Sequence, residues 1–191
     1  MTLLVLGLVL FLGIHSVSIV APGWRDRQLA CRGEKTWKAL FSIVSVVGFV
    51  LIVHGYGQAR LDSVQLYVPP VGLRHLALLL MVPVFPLFLA TYLPGRLQRA
   101  AKHPTLLATK LWATSHLLAN GTLADLLLFG GFLAWAVADR IAVKRRPVPR
   151  TVPGAPPRGI NDVIAIVAGL LIYVGMLFRG HAWLIGVSPM G

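Results

Sequence analysis

The chain has 191 residues, of which 57% are hydrophobic and only 13% are charged. A soluble domain of this length is less apolar, so the composition excludes an ordinary soluble protein and indicates an integral membrane protein. The net charge of +12 comes from lysines and arginines that cluster between apolar runs, which indicates membrane topology, and no nucleic-acid partner is expected. The single cysteine, Cys31, excludes a disulfide framework and a c-type haem attachment.

A membrane-spanning helix needs about 20 apolar residues, and six segments meet or approach that length. They predict an all-α membrane bundle of about six transmembrane helices in a single domain over 1–191. The first segment lacks a basic start and a small-residue cleavage site, so a retained helix is expected rather than a signal peptide. In chain order the predicted spans are 3–20, 37–56, 71–93, 105–119, 123–137 and 162–178.

The fourth and fifth predicted spans are short and are separated only by Asn120, Gly121 and Thr122. Asn-Gly can end a helix in the left-handed conformation, and Thr122 with Asp125 three residues later resembles a capping box. These signals favour a tight helical hairpin. If the two segments instead form one long helix, the number of spans is five.

The connections between the predicted spans alternate between rich and poor in lysine and arginine. Under the positive-inside rule, the first, third and fifth connections lie in the cytoplasm and both termini lie outside. The fifth connection, 140–160, is both basic and proline-rich, so we expect an extended linker without a fold of its own. Pro83 and Pro86 should kink the third span.

Two histidines lie inside predicted spans away from the outer ends, where ionisable groups are costly and usually face a protein interior or a cofactor. His116 lies near mid-membrane in the fourth span, with Trp112 one turn before it and Asn120 one turn after it, so all three share a face. His15 lies in the first span. Two helical histidines could ligate haem iron from both sides, or each could be a hydrogen-bonded structural residue.

The other histidines are weaker candidates. His54 and His75 lie near the outer ends of the second and third spans and are possible alternative ligands. His103 precedes a helix-starting proline and is expected to be solvated, while His181 is expected to be exposed in a C-terminal tail. No motif of a hydrolase or a phosphate loop is present in the sequence.

Several motifs resemble the NnrU family of bacterial membrane proteins over essentially the whole chain. The motifs are GIHS at 13–16, GYGQAR at 55–60, HP at 103–104, LW at 111–112, HLLANG at 116–121, LLFG at 127–130 and AW at 134–135. The resemblance implies a multi-pass protein of the bacterial inner (cytoplasmic) membrane that is associated with nitrite and nitric oxide reduction in denitrification.

The family is similar to the plant 15-cis-zeta-carotene isomerase, a membrane enzyme that uses haem b held by two histidines. This similarity implies haem b as a cofactor, with His15 and His116 as the metal ligands and Trp112 and Asn120 beside them. The plant enzyme has a cysteine three residues before its second ligand, where this chain has Ala113. A ligand exchange that uses that cysteine is therefore not expected here.

Three functions follow from these observations. The first is a haem b protein that acts in polyene isomerisation, redox chemistry or nitric oxide handling, with the catalytic residues unknown. The second is a non-enzymatic accessory or assembly factor, with membrane respiratory or denitrification reductases as partners and the lipid bilayer as its environment. The third, a small transporter, has little support because the spans hold few ionisable groups.

Overall fold

A computed structural model describes residues 1–146, 152 and 154–190. Across these residues the chain is helical, and the extended pairing within them is one antiparallel bridge between Gln65 and Thr122. The helices are α1 (Thr2–Val20), α2 (Pro22–Arg32), α3 (Glu34–Ala59), α4 (Val71–Met81), α5 (Val84–Ala90), α6 (Arg96–Ala101), α7 (Pro104–Ala119), α8 (Leu123–Asp125), α9 (Gly131–Arg145), α10 (Asn161–Gly175) and α11 (His181–Ile185). A 3₁₀ turn follows α3 at Arg60–Asp62, and π-helical segments at Leu126–Gly130 and Met176–Gly180 join α8 to α9 and α10 to α11.

Within the described residues, five helical stretches are long and apolar enough to cross a membrane. The predicted all-α membrane fold is therefore confirmed at that level. The fourth predicted span corresponds to α7, which has 16 residues and is shorter than these five stretches. The crossing stretches are Thr2–Val20, Glu34–Asp62, Val71–Ala90, Leu123–Arg145 and Asn161–Ile185.

Prolines determine where two of the helices begin. The third crossing stretch is interrupted at Val82 and Pro83, as expected for a residue that lacks a backbone donor and crowds the preceding turn. Pro22 occupies the first turn of α2, where a missing N–H costs little. This basic segment, predicted to be a connection between two spans, forms an 11-residue helix.

The last two long helices extend further than the sequence pattern predicts. The helix that includes α9 continues past residue 137 to Arg145, because lysine and arginine are good helix formers and are favourable at a helix C-terminus. The final helix continues past residue 178 to Ile185. Of the predicted linker 140–160, residues 147–151 and 153 lie outside the described part of the chain.

The contacts divide the chain into two compact units. The first contains Met1–Val68 and Asn120–Arg146, and the second contains Pro69–Ala119 and Pro147–Gly191. Each unit therefore combines two segments that are separated in the sequence. Of the six histidines, His15 and His54 belong to the first unit, while His75, His103, His116 and His181 belong to the second.

In the first unit, α1 and α3 approach each other closely through glycine. A Cβ atom at Gly48 would lie 2.8 Å from the Phe11 backbone nitrogen, and one at Gly7 would lie 2.6 Å from that of Ile52. Gly55 faces the backbone of Leu4 in the same way. Small residues allow helix backbones to pack tightly in membranes, where burial of apolar surface provides little drive for association.

The Asn120–Thr122 turn is held by the segment that follows α3. The backbone nitrogens of Leu66 and Tyr67 both donate to the Gly121 carbonyl, at 2.8 and 3.1 Å. The Tyr67 hydroxyl donates to the Asn120 carbonyl, and burial together with the nearby Asp125 charge raises the pKa of that hydroxyl. The predicted break between α7 and the next helix is confirmed, but the expected left-handed conformation at Asn-Gly is wrong, since neither Asn120 nor Gly121 has a positive φ.

In the second unit, α5 packs against both α7 and α10. Its buried Val84 and Leu87 form a core with Ala108 of α7, and Pro86 lies where a Cβ at Gly169 of α10 would clash. At the beginning of α10, the Asp162 carboxylate accepts from the backbone nitrogens of Arg96 and Leu97, 2.8 and 2.9 Å away. Those two donors lie in the first turn of α6, which Asp162 therefore caps.

Candidate functional site

His15 lies among aromatic side chains of the first unit. Its ring stacks on Phe11 with a centroid separation of 4.2 Å and meets the edges of Phe41 and Trp135 at 4.8 and 6.0 Å. Its Nδ1 lies 2.7 Å from the Phe11 carbonyl oxygen. Because a carbonyl only accepts, Nδ1 carries the proton and Nε2 carries the lone pair.

The indole of Trp135, next to His15, has an unsatisfied donor. Its Nε1 is buried and has no hydrogen-bond partner among the described residues. A buried N–H without an acceptor costs about 1–3 kcal/mol, and such groups need an explanation. An acceptor on a bound molecule beside His15 would satisfy it.

His116 repeats the arrangement of His15 in the second unit. Its Nδ1 lies 2.8 Å from the Trp112 carbonyl oxygen, so its Nε2 also carries the lone pair. The Trp112 and His116 rings have a centroid separation of 5.3 Å, as their spacing along the helix predicts. Asn120 lies beyond the end of α7, and its backbone carbonyl accepts a hydrogen bond from the Tyr67 hydroxyl.

His181, which was expected to be exposed in a C-terminal tail, lies close to His116. It is half-buried rather than exposed, and its ring lies 6.3 Å from that of His116 with an angle of 23° between the two planes. The apolar residues after it, Trp183 to Ile185, were the available signal, because they continue the helix beyond the predicted tail.

The remaining histidines differ in exposure. His54 and His75 are exposed on α3 and α4. His103 is half-buried just before α7, where its carbonyl accepts from the Leu107 backbone nitrogen. Because their side chains are exposed, His54 and His75 are poorly placed to act as buried metal ligands.

Asp125 is a buried carboxylate in the first unit, with 4% of its surface exposed. It accepts from the Thr122 backbone nitrogen at 2.9 Å and the Tyr56 hydroxyl at 2.7 Å, while its own backbone nitrogen donates to the Thr122 hydroxyl. The predicted capping box is therefore confirmed. These bonds give Asp125 a structural role at the start of α8.

Among the described residues, no group of three or more histidine, cysteine or acidic side chains could hold a metal ion. In three of the histidines, His15, His116 and His181, Nδ1 contacts a backbone carbonyl oxygen, which orients the ring.

The comparison with protein families identifies the family of this chain. The sequence model described as NnrU protein matches residues 3–189, which is nearly the whole chain. The chain belongs to the NnrU family. The match includes both compact units of this NnrU protein and all six of its histidines. No curated protein and no solved structure matches it.

Proposed function

We propose that this NnrU protein is a multi-pass protein of the bacterial inner membrane that binds haem b through His15 and His116. The observation that supports this most directly is that both imidazoles are oriented by the same kind of hydrogen bond. Each donates its Nδ1 proton to a carbonyl one turn earlier in its own helix, which leaves the Nε2 lone pair for a metal. Metal-ligating histidines are commonly oriented in this way.

The surroundings of His15 and His116 fit a porphyrin. Phe11, Phe41 and Trp135 around His15, and Trp112 beside His116, offer aromatic surfaces suited to an apolar macrocycle. The unsatisfied Trp135 Nε1 offers a donor to a polar atom of a bound group. Haem iron supplies redox and ligand-binding chemistry when it is bound, while these residues bind and orient it.

We propose further that α7 crosses the membrane, so that the protein has six spans with both termini outside. In the second unit, the beginning of α10 contacts α6, just before α7, and His181 contacts His116 in the last turn of α7. The α7 helix therefore runs alongside, and in the same direction as, a stretch that is long enough to cross. A short crossing helix can be accommodated by local thinning of the bilayer.

Contacts in the first unit support the same topology. Arg146, after α9, donates to the Ser18 carbonyl near the end of α1, which joins two ends predicted to be cytoplasmic. The segment after α3 binds the Asn120–Thr122 turn, which joins two connections predicted to lie outside. Both pairings follow if α1, α3 and the α8–α9 stretch all cross the membrane.

The haem would serve nitrite and nitric oxide reduction, or the isomerisation of a polyene, as the family resemblance implies. The deciding test is an absorption spectrum with a pyridine haemochrome assay on the full-length protein, purified in mild detergent from haem-supplied cells. We expect about one haem b per chain, with loss of the Soret band or a shift in it in His15→Ala and in His116→Ala.

The exposed His54 and His75 provide matched controls for the haem experiment. Each is a single histidine in a membrane helix, so His54→Ala and His75→Ala should keep the wild-type spectrum. A spectrum unchanged in both His15→Ala and His116→Ala would reject the ligand assignment. A folded but colourless wild-type protein would reject haem binding and favour an accessory role with a membrane reductase.

A further inference from the structure

His116 and His181 lie close together within the second unit. Their ring centroids are 6.3 Å apart and their planes are within 23° of parallel. Two imidazoles that bind one metal ion through bonds of about 2 Å have centroids roughly 5–6 Å apart, depending on the bond angle. The observed separation is therefore close to that of two ligands of a single ion.

Both rings of this pair have the same tautomer. His116 donates from Nδ1 to the Trp112 carbonyl, and His181 has its Nδ1 2.6 Å from the Val187 carbonyl oxygen. In each ring Nε2 is the nitrogen that this contact leaves for a second ligand. A metal ion could bind both rings through those two Nε2 atoms.

The chain around His181 departs from regular helix on both sides. The π-helical segment Met176–Gly180 ends immediately before His181 and changes the register of the helix by one residue, which determines the face on which the ring lies. After α11, Gly186 adopts a left-handed conformation with φ of 76°, which turns the chain so that the Val187 carbonyl reaches Nδ1. Short π segments are frequent at functional sites.

A thioether lies close to the same segment. A Cβ atom at Gly180 would be 2.8 Å from the Met176 sulfur, so this glycine provides the space that the sulfur occupies directly before His181 in the chain. Imidazole suits zinc and copper, and thioether favours Cu⁺ in particular. The two imidazoles are thus donors typical of a late first-row transition metal.

We propose that His116 and His181 form a two-imidazole site for a late first-row transition-metal ion, Cu⁺ or Zn²⁺, bound directly by the protein. The proposal shares His116 with the proposed haem ligation but does not depend on it, since the ion needs no porphyrin. The two ligands would compete for His116, so the metal site belongs to the haem-free chain.

The test uses the full-length chain purified in detergent from cells without haem supplementation. Zn²⁺ and Cu⁺ are each titrated against a chromophoric chelator, which gives the stoichiometry and affinity for each ion. We expect one site per chain for at least one of the two ions, with affinity lowered more than about tenfold in His116→Ala and in His181→Ala. The exposed His75 supplies the matched control, and His75→Ala should bind like the wild type.

Haem reconstitution of the same variants separates this proposal from the haem proposal, and a cooperative thermal melt of each variant shows that it folds. His181→Ala should lose the metal ion and keep haem. His15→Ala should lose haem and keep the metal ion, and His116→Ala should lose both. Absence of both ions from the wild type would overturn the metal site, as would unchanged metal affinity in a His181→Ala variant that still melts cooperatively. Loss of haem from every preparation would leave the metal result standing.

Discussion

Asp125 shows how one buried carboxylate secures a helix start. It accepts hydrogen bonds from the Thr122 backbone nitrogen and the Tyr56 hydroxyl, so its removal leaves both donors without that acceptor. We expect Asp125→Ala to destabilise the protein by about 1–3 kcal/mol. The apparent melting temperature in detergent measures this, with Asp62→Ala as the control because Asp62 is exposed. Equal melting temperatures for the two variants would contradict the structural role.

Replacing Trp135, unlike replacing Asp125, is not expected to destabilise the haem-free protein. Trp135→Phe retains an aromatic ring beside His15 and removes the buried Nε1 proton that has no acceptor within the described structure. In haem-free protein the change should leave stability unaltered or raise it by about 1 kcal/mol, because an unsatisfied group is lost. In haem-loaded protein it should weaken haem retention. Thermal melts of both forms provide the measurement, and equal effects on them would exclude contact between the indole donor and haem.

At the residue scale, sequence spacing predicted contacts within one regular helix. The Trp112–His116 pair and the Thr122–Asp125 capping box both follow from separations of three or four residues. The His116–His181 contact could not be predicted in this way. It joins distant parts of the chain and depends on the register of the π segment before His181, for which the sequence has no simple signal.

The packing of α1 on α3 gives a prediction at the scale of elements. Gly48 faces the Phe11 backbone, so Gly48→Leu must separate the two helices and should cost about 1–3 kcal/mol. Gly57 lies on the same helix with nothing within 4 Å of its added Cβ, and Gly57→Leu is therefore the matched control. Fluorescence-detected size exclusion after heating would compare the variants. A Gly48→Leu protein as stable as the control would show that the close approach contributes little.

Helix ends were less predictable than helix existence. The break at Pro83 follows from the chemistry of proline. The break after α7 lies at Asn120–Thr122 as predicted, but neither Asn120 nor Gly121 has the left-handed conformation expected of Asn-Gly. By contrast, hydropathy falls at the basic residues after residue 137, although arginine and lysine continue the helix to Arg145. Apolar content measures suitability for lipid, whereas helix length also depends on propensity, and the two criteria diverge at membrane interfaces.

At the scale of the molecule, composition was sufficient to predict a helical membrane protein, since a bilayer requires backbone polar groups to be satisfied within each segment. It was insufficient to decide how many segments cross. The 16 residues of α7 fall between a crossing helix and a short buried one. Its direction alongside α10, which depends on contacts at both ends of those helices, favours crossing.

Cysteine labelling can distinguish six spans from five. With six, Cys31 lies in the cytoplasm and Ser188 lies outside, whereas with five and α7 not crossing, both lie on the cytoplasmic side. Cys31 is the only cysteine of the chain and is exposed, so the natural protein reports the first position. A Cys31→Ser, Ser188→Cys variant reports the second. We expect a membrane-impermeant maleimide to label spheroplasts only in the variant, and to label the natural protein once the membrane is permeabilised. Protection of both positions in spheroplasts would establish five spans and remove α7 from the membrane-crossing helices, while haem and metal binding would still be decided by their own assays.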